Sequence, residues 1–146
     1  MANKPSVIVC ERRGIWAAGL RRHLPREIRV CETRLLADCR RELAGAPASL
    51  VVVELSESNL AAALDLVADA VRRFPLARLV AVAERGWEPY EWLLREAGAI
   101  HFTTQPRKAD TLARLAVRHV ARVPLPRTTL VAEIWDSLPW HESTVN

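Results

Sequence analysis

Leu50-Val-Val-Val-Glu54, followed by Asn59 and then Leu60, Leu64, Val67, Val71 and Phe74, decides the fold class of this chain. The first run is β-branched and has no polar partner until Glu54, the composition of a strand buried on both faces. The second set steps by 4, 3, 4 and 3, the spacing of one helical face. Asn59 is placed to cap that helix and Pro75 to end it. A two-face-buried strand leading into an amphipathic helix is the repeating unit of a parallel sheet covered by helices.

Working outward, the same alternation recurs. Val7-Ile-Val-Cys10 predicts a first strand, and Trp16, Leu20 and Leu24 mark a helix over 15–24 stopped by Pro25. Glu27-Ile-Arg-Val-Cys31 alternates like an edge strand. Residues 33–43 read as a helix with Leu36, Cys39 and Leu43 on one side. Leu79-Val-Ala-Val82 is a fourth strand. Pro89 suits the first turn of a short helix to about Ala97, with Gly98 placed to end it at positive φ. Ile100-His-Phe-Thr-Thr104 is a fifth strand, and Asp110 is the expected cap of a last helix over 111–122. Five such units with right-handed crossovers predict an α/β fold: a doubly wound five-stranded parallel sheet in order 2-1-3-4-5. A site is then expected at the carboxyl ends of strands 1 and 3, where the strand order reverses.

Composition narrows the function. The chain has 146 residues, half of them hydrophobic, which suits one globular domain and no long disordered region. No apolar run approaches the roughly 20 residues of a membrane span, and the N-terminal apolar run is too short for a signal-peptide core. A cytoplasmic protein with no membrane partner is the expectation. Cys10, Cys31 and Cys39 form no C-x-x-C and read as reduced thiols. The histidines His23, His101, His119 and His141 have no zinc spacing. No G-x-G-x-x-G, P-loop or nucleophile elbow is present, so neither an enzyme nor a cofactor is expected.

The sequence resembles the receiver domains of CheY-like response regulators over about residues 5–122. The pieces that carry this are Val-Ile-Val-Cys-Glu at 7–11, Leu-Val-Val-Val-Glu-Leu at 50–55, Leu-Val-Ala-Val-Ala-Glu at 79–84, and Glu-Ala-Gly-Ala-Ile-His-Phe-Thr-Thr-Gln-Pro at 96–106. The resemblance implies the flavodoxin-like receiver fold and a site built for phosphoryl transfer to an aspartate. In the family two acids, the acceptor aspartate and Mg²⁺ work with a hydroxyl and a lysine that neutralise the charge spread over the moving phosphoryl group. Here those positions hold Cys10 and Glu11, Glu54, Ala83 and Gln105. The implied reading is a degenerate pseudo-receiver that acts in signalling or regulation by phosphorylation-independent protein–protein interaction. The family's Lys–Pro bond after strand 5 is usually cis, and a trans Gln105–Pro106 bond would weaken that part of the alignment.

Two readings of the altered site stay open. Glu11, Glu54 and Glu84 read either as oxygen ligands for a divalent cation or as carboxylates neutralised by Arg12, Arg13 or Arg85. Glu54 is also a partial imitation of a phosphorylated aspartate, with one charge against roughly 1.5–2 for a phosphate.

The family's helix 4–strand 5–helix 5 surface serves partner binding or self-association. Here it would present Trp87, Tyr90, Trp92, Phe102, Arg114 and Arg118, residue types that dominate interface energies. Residues 1–123 form the expected receiver-like domain. Residues 124–146 form an extension in which Leu130, Ile134 and Leu138, with Trp135 beside them, predict a short amphipathic helix that needs a partner. The expected partner is a protein or a second copy, giving a homodimer. The alternative is a nucleic-acid-binding regulator. It would use the arginine-rich first third, where Arg12, Arg13, Arg21, Arg22, Arg26, Arg29, Arg40 and Arg41 contribute to 10 basic against 5 acidic groups in residues 1–42.

Overall fold

A computed structural model describes residues 3–124. Strands β1 (Val7–Cys10), β2 (Val30–Thr33), β3 (Leu50–Glu54), β4 (Arg78–Val82) and β5 (His101–Thr103) form one parallel sheet in the order β2-β1-β3-β4-β5. Helices α1 (Ile15–His23), α2 (Leu36–Gly45), α3 (Leu60–Arg73), α4 (Glu91–Ala97) and α5 (Ala109–Arg122) alternate with the strands. This is the doubly wound architecture that the apolar runs predict.

The two-residue alternation of the strands builds two cores. Val7, Val9, Leu50, Val52, Val80 and Val82 meet Trp16 and Leu20 of α1 and Leu112 and Ala116 of α5. Ile8, Cys10, Val51, Val53, Leu79 and Ala81 meet Cys39, Leu66 and Leu94 of α2, α3 and α4. Val51, Val52 and Val53 have no solvent exposure, as expected of a central parallel strand.

Four local expectations change. The second strand begins at Val30, because Pro25–Ile28 close a turn (Ile28 N–H to Pro25 O, 3.1 Å) and β1 sets the register Val7↔Val30 to Cys10↔Thr33. Thr33 therefore ends β2 instead of opening the second helix, and extended Leu35 precedes α2. On α3 the buried face is Ala63, Leu66, Val67 and Ala70. Small alanines let the helix lie close on the sheet, so Leu60, Leu64 and Phe74 pack only at its margin and Val71 is 45% exposed. Asp110 lies inside the first turn of α5, after the N-cap residue Lys108, and pairs with Arg114. No cis peptide bond occurs among the described residues, so Gln105–Pro106 is trans and this one element of the strand-5 alignment is weakened.

Gly98 ends α4 at φ +125, where an L side chain is strained. A Cβ there would also collide with Val71 Cγ2, so this glycine is required by backbone and packing together.

Candidate functional site

The carboxyl ends of β1, β3, β4 and β5 converge because the strands pair in register: Cys10 opposite Val53, Glu54 opposite Val82, and Val82 opposite Thr103. Backbone bonds extend this alignment past the strands. Leu55 N–H donates to Val82 O at 2.8 Å and Ala83 N–H to Thr103 O at 3.1 Å. Cys10, Glu11, Glu54, Ala83 and Gln105 thus sit at or just beyond neighbouring strand ends, as expected of a switch-point site.

Their side chains are not free for one common task. Glu11 is buried at 2% exposure. Its Oε1 accepts the Trp16 N–H at 3.0 Å and its Oε2 the Ala17 N–H at 2.7 Å. Gly14, at φ 78, supplies no side-chain cap to α1, and the first turn of α1 carries no acid. Glu11 therefore takes both roles, satisfying two orphan N–H groups and placing negative charge at the positive end of the helix. Glu54 instead faces Arg12. Its Oε1 accepts the Arg12 backbone N–H at 3.2 Å and lies 3.8 Å from Arg12 Nε.

The three carboxylates Glu11, Glu54 and Glu84 are consequently not brought together. Glu54 and Glu84 do line an open cavity of about 360 Å³, shared with Arg12, Glu57, Ser58 and Trp87. Glu11 is turned away into the α1 cap. Among the described residues no group of three His, Cys, Asp or Glu side chains has metal-holding geometry.

Cys10 is 4% exposed, in the core beside Cys39 of α2. The neighbouring Cys39 thiol favours the Cys10 thiolate and moves the Cys10 pKa down against the opposing effect of burial. Cys39, fully buried beside Cys10, is pushed above the usual thiol range by that neighbour and by burial. All three cysteines are free thiols. Ala83 is buried and offers only a methyl group. Gln105 is anchored through its backbone, with its N–H donating to Thr103 Oγ1 at 3.2 Å.

Two residues hold the surrounding loops: Glu88, which the sequence does not single out, and Asn59, expected there as a helix cap. Glu88 accepts the Gly86 N–H at 2.7 Å and the Thr104 hydroxyl at 3.1 Å, tying the β4–α4 loop to the end of β5. These backbone and side-chain donors hold its carboxyl below the usual range. Asn59 does not cap α3 with its side chain. Its Oδ1 accepts the Ser56 N–H at 2.7 Å and its Nδ2 donates to Glu54 O at 2.9 Å, which folds the β3–α3 loop. A glycine two residues before Glu88 is the only local signal for the first role.

Of the residues expected on the partner-binding surface, Trp92 is 66% and Tyr90 41% exposed. Trp87 is half-buried and packs its ring against Tyr90, centroids 4.9 Å apart. Arg114 and Arg118 are exposed on α5. Phe102 does not belong to an exposed surface: at 7% exposure it packs in the core between sheet and helices, because alternation along β5 turns it inward. His101, its neighbour, lies on that edge strand, and burial followed by the Arg95 charge lowers its pKa. Leu130, Ile134, Trp135 and Leu138 lie outside the described residues.

The arginine-rich first third is not one free basic face. Arg12 faces Glu54, Arg21 pairs with Glu32, Arg40 with Asp69 and Arg41 with Asp38. Among the described residues no helix is long and apolar enough to cross a membrane.

No protein-family model matches the chain. No curated protein matches it either. Solved structures do. A CheY-like protein (tadZ) from Pseudomonas aeruginosa PAO1 is 23% identical, with a TM-score of 0.62 over 85% of this chain and 99% of that one. A response regulator from Thermotoga maritima is 17% identical, with a TM-score of 0.68 over 82% and 99%. HP1043, an orphan response regulator of H. pylori, is 14% identical, with a TM-score of 0.64 over 82% and 99%. At these identities the likeness concerns the fold: the chain carries the receiver-type fold found in CheY-like response regulators.

Proposed function

We propose that this chain is a pseudo-receiver that acts by binding a protein partner in signalling or regulation, without phosphorylation at position 54. The observation that carries this reading is the diversion of its two site carboxylates. Glu11 is spent on the first turn of α1 and Glu54 faces Arg12. Ala83 and Gln105 provide neither the hydroxyl nor the fixed cation that phosphoryl transfer to a carboxylate uses. Binding then falls to the exposed surface. Trp92 and Tyr90 present large aromatic area beside the β5 edge, and such residues dominate interface energies. The solved structures with this fold carry names of signalling regulators, which supports a regulatory role over an enzymatic one.

The test has two arms. The full chain is incubated with acetyl phosphate and Mg²⁺ and its intact mass measured; no phosphoryl adduct is expected, and an adduct on Glu54 overturns the reading. Partners captured by the unmodified chain are then compared with those captured by Trp92→Ala and Tyr90→Ala. Loss of one discrete partner in both variants, with folding unchanged, is the expected result.

A further inference from the structure

At the opposite end of the sheet from Glu54, the starts of β4 and β5 and the last turns of α5 enclose an open groove of about 250 Å³. Its walls include Leu76 and Ile100, which are 48% and 43% exposed, together with Leu115. Its far end is formed by Val123 and Pro124, the last of the described residues. Arg118 and Arg122 line it as well, and neither has an ion-pair or hydrogen-bond partner among the described residues. An apolar floor with an uncompensated basic rim calls for an acidic amphipathic occupant.

The 22 residues that follow Pro124 have that chemistry. They carry Glu133, Asp136 and Glu142 against the single Arg127. Leu130, Ile134 and Leu138 stand at i, i+4 and i+8, the spacing of one apolar helical face. We propose that residues 130–138 fill this groove of their own domain, with Leu130, Ile134 and Leu138 against Leu76 and Ile100, and Glu133 and Asp136 toward Arg118 and Arg122. Because Pro124 already lines the groove, the segment starts at its edge. The tether gives the segment an effective concentration on the order of millimolar, which a separate partner would have to exceed. The assignment rests on none of the residues around Glu54 and stands or falls apart from the function proposed above.

Hydrogen–deuterium exchange of the full chain, read by mass spectrometry at two protein concentrations, tests it. Amides of 129–138 should exchange at least about ten-fold slower than an unstructured segment, equally at both concentrations. The pair Arg118→Glu with Arg122→Glu should remove that protection, and so should Glu133→Arg with Asp136→Arg. All four changes together should restore it. Unchanged protection of β3 in each variant verifies folding. Free exchange of 129–138 in the unmodified chain overturns the proposal, as does protection that survives either charge reversal or fails to return in the four-fold variant. Protection that rises with concentration alongside a dimer in light scattering also overturns it, because a second copy then supplies the occupant.

Discussion

Glu11 reaches five residues forward to accept the backbone N–H of Trp16 at 3.0 Å. One carboxylate at the switch point thereby becomes a structural part of α1. A charge-assisted bond to a buried group contributes about 1.5–3 kcal/mol, and removing it strands donors in the interior. Glu11→Ala is expected to destabilise the domain by about 2 kcal/mol in urea unfolding. Glu54→Gln, whose carboxylate faces an arginine that is itself 65% exposed, should cost about 1 kcal/mol or less. Equal losses in the two variants would contradict this division of roles.

Gly98 and Val71 leave no room for a methyl group between α4 and α3. Gly98→Ala adds positive-φ strain to an overpacked contact and should cost about 2–3 kcal/mol in thermal or chemical unfolding. The companion variant Gly98→Ala with Val71→Ala should recover part of that loss by removing the collision and leaving only the backbone strain. No recovery would place the whole cost in the backbone.

Cys10 ends β1 at the switch point, and it is 4% exposed beside Cys39 in the core. Cys10→Asp buries a carboxylate beside a thiol and a valine-rich sheet, and is expected to cost about 2–4 kcal/mol. Gln105→Lys, at a half-exposed position, should change stability by about 0.5 kcal/mol or less. The two substitutions, measured by the same unfolding assay, separate a strand-end position that belongs to the core from one that does not.

His119 and His101 set a pH window. Burial lowers both pKa values below the usual 6.5, with the Ala48 carbonyl, 2.6 Å from His119 Nε2, opposing the shift at His119. In the unfolded chain both imidazoles take up protons first, so stability is full above about pH 6.5 and falls as the pH drops through the folded values. Glu32 is held below the usual carboxylate value of 4.5 by Arg21 and Arg34, so its contribution is lost only in a second, more acidic window. Urea midpoints should therefore decline in two steps on acidification. His119→Gln should flatten the first step and leave the second.

Strand positions were legible wherever burial was two-sided. Val7–Cys10, Leu50–Val53 and Leu79–Val82 declare themselves because a parallel strand covered on both faces is a continuous apolar run, and right-handed crossovers leave few orders, of which 2-1-3-4-5 is the natural one at this size. The locations of Cys10, Glu11, Glu54, Ala83 and Gln105 at the strand ends were legible for the same reason. What each side chain does there was not. Whether Glu11 meets Glu54 or the first turn of α1 depends on a turn through Gly14 and on where α1 begins, which no spacing encodes. The buried face of α3 is Ala63, Leu66, Val67 and Ala70 in place of the stripe through Leu60, Leu64 and Val71, because close approach to a sheet favours small side chains at the contact, a property of the neighbour and not of the helix. Phe102 turned inward because alternation along β5 faces it to the core, whatever surface its residue type suggests. Local pattern determined which elements exist and in what order. Only the tertiary structure decided which carboxylate is spent, which arginine is paired and which aromatic remains exposed, since each of those is a contact between residues far apart in the chain.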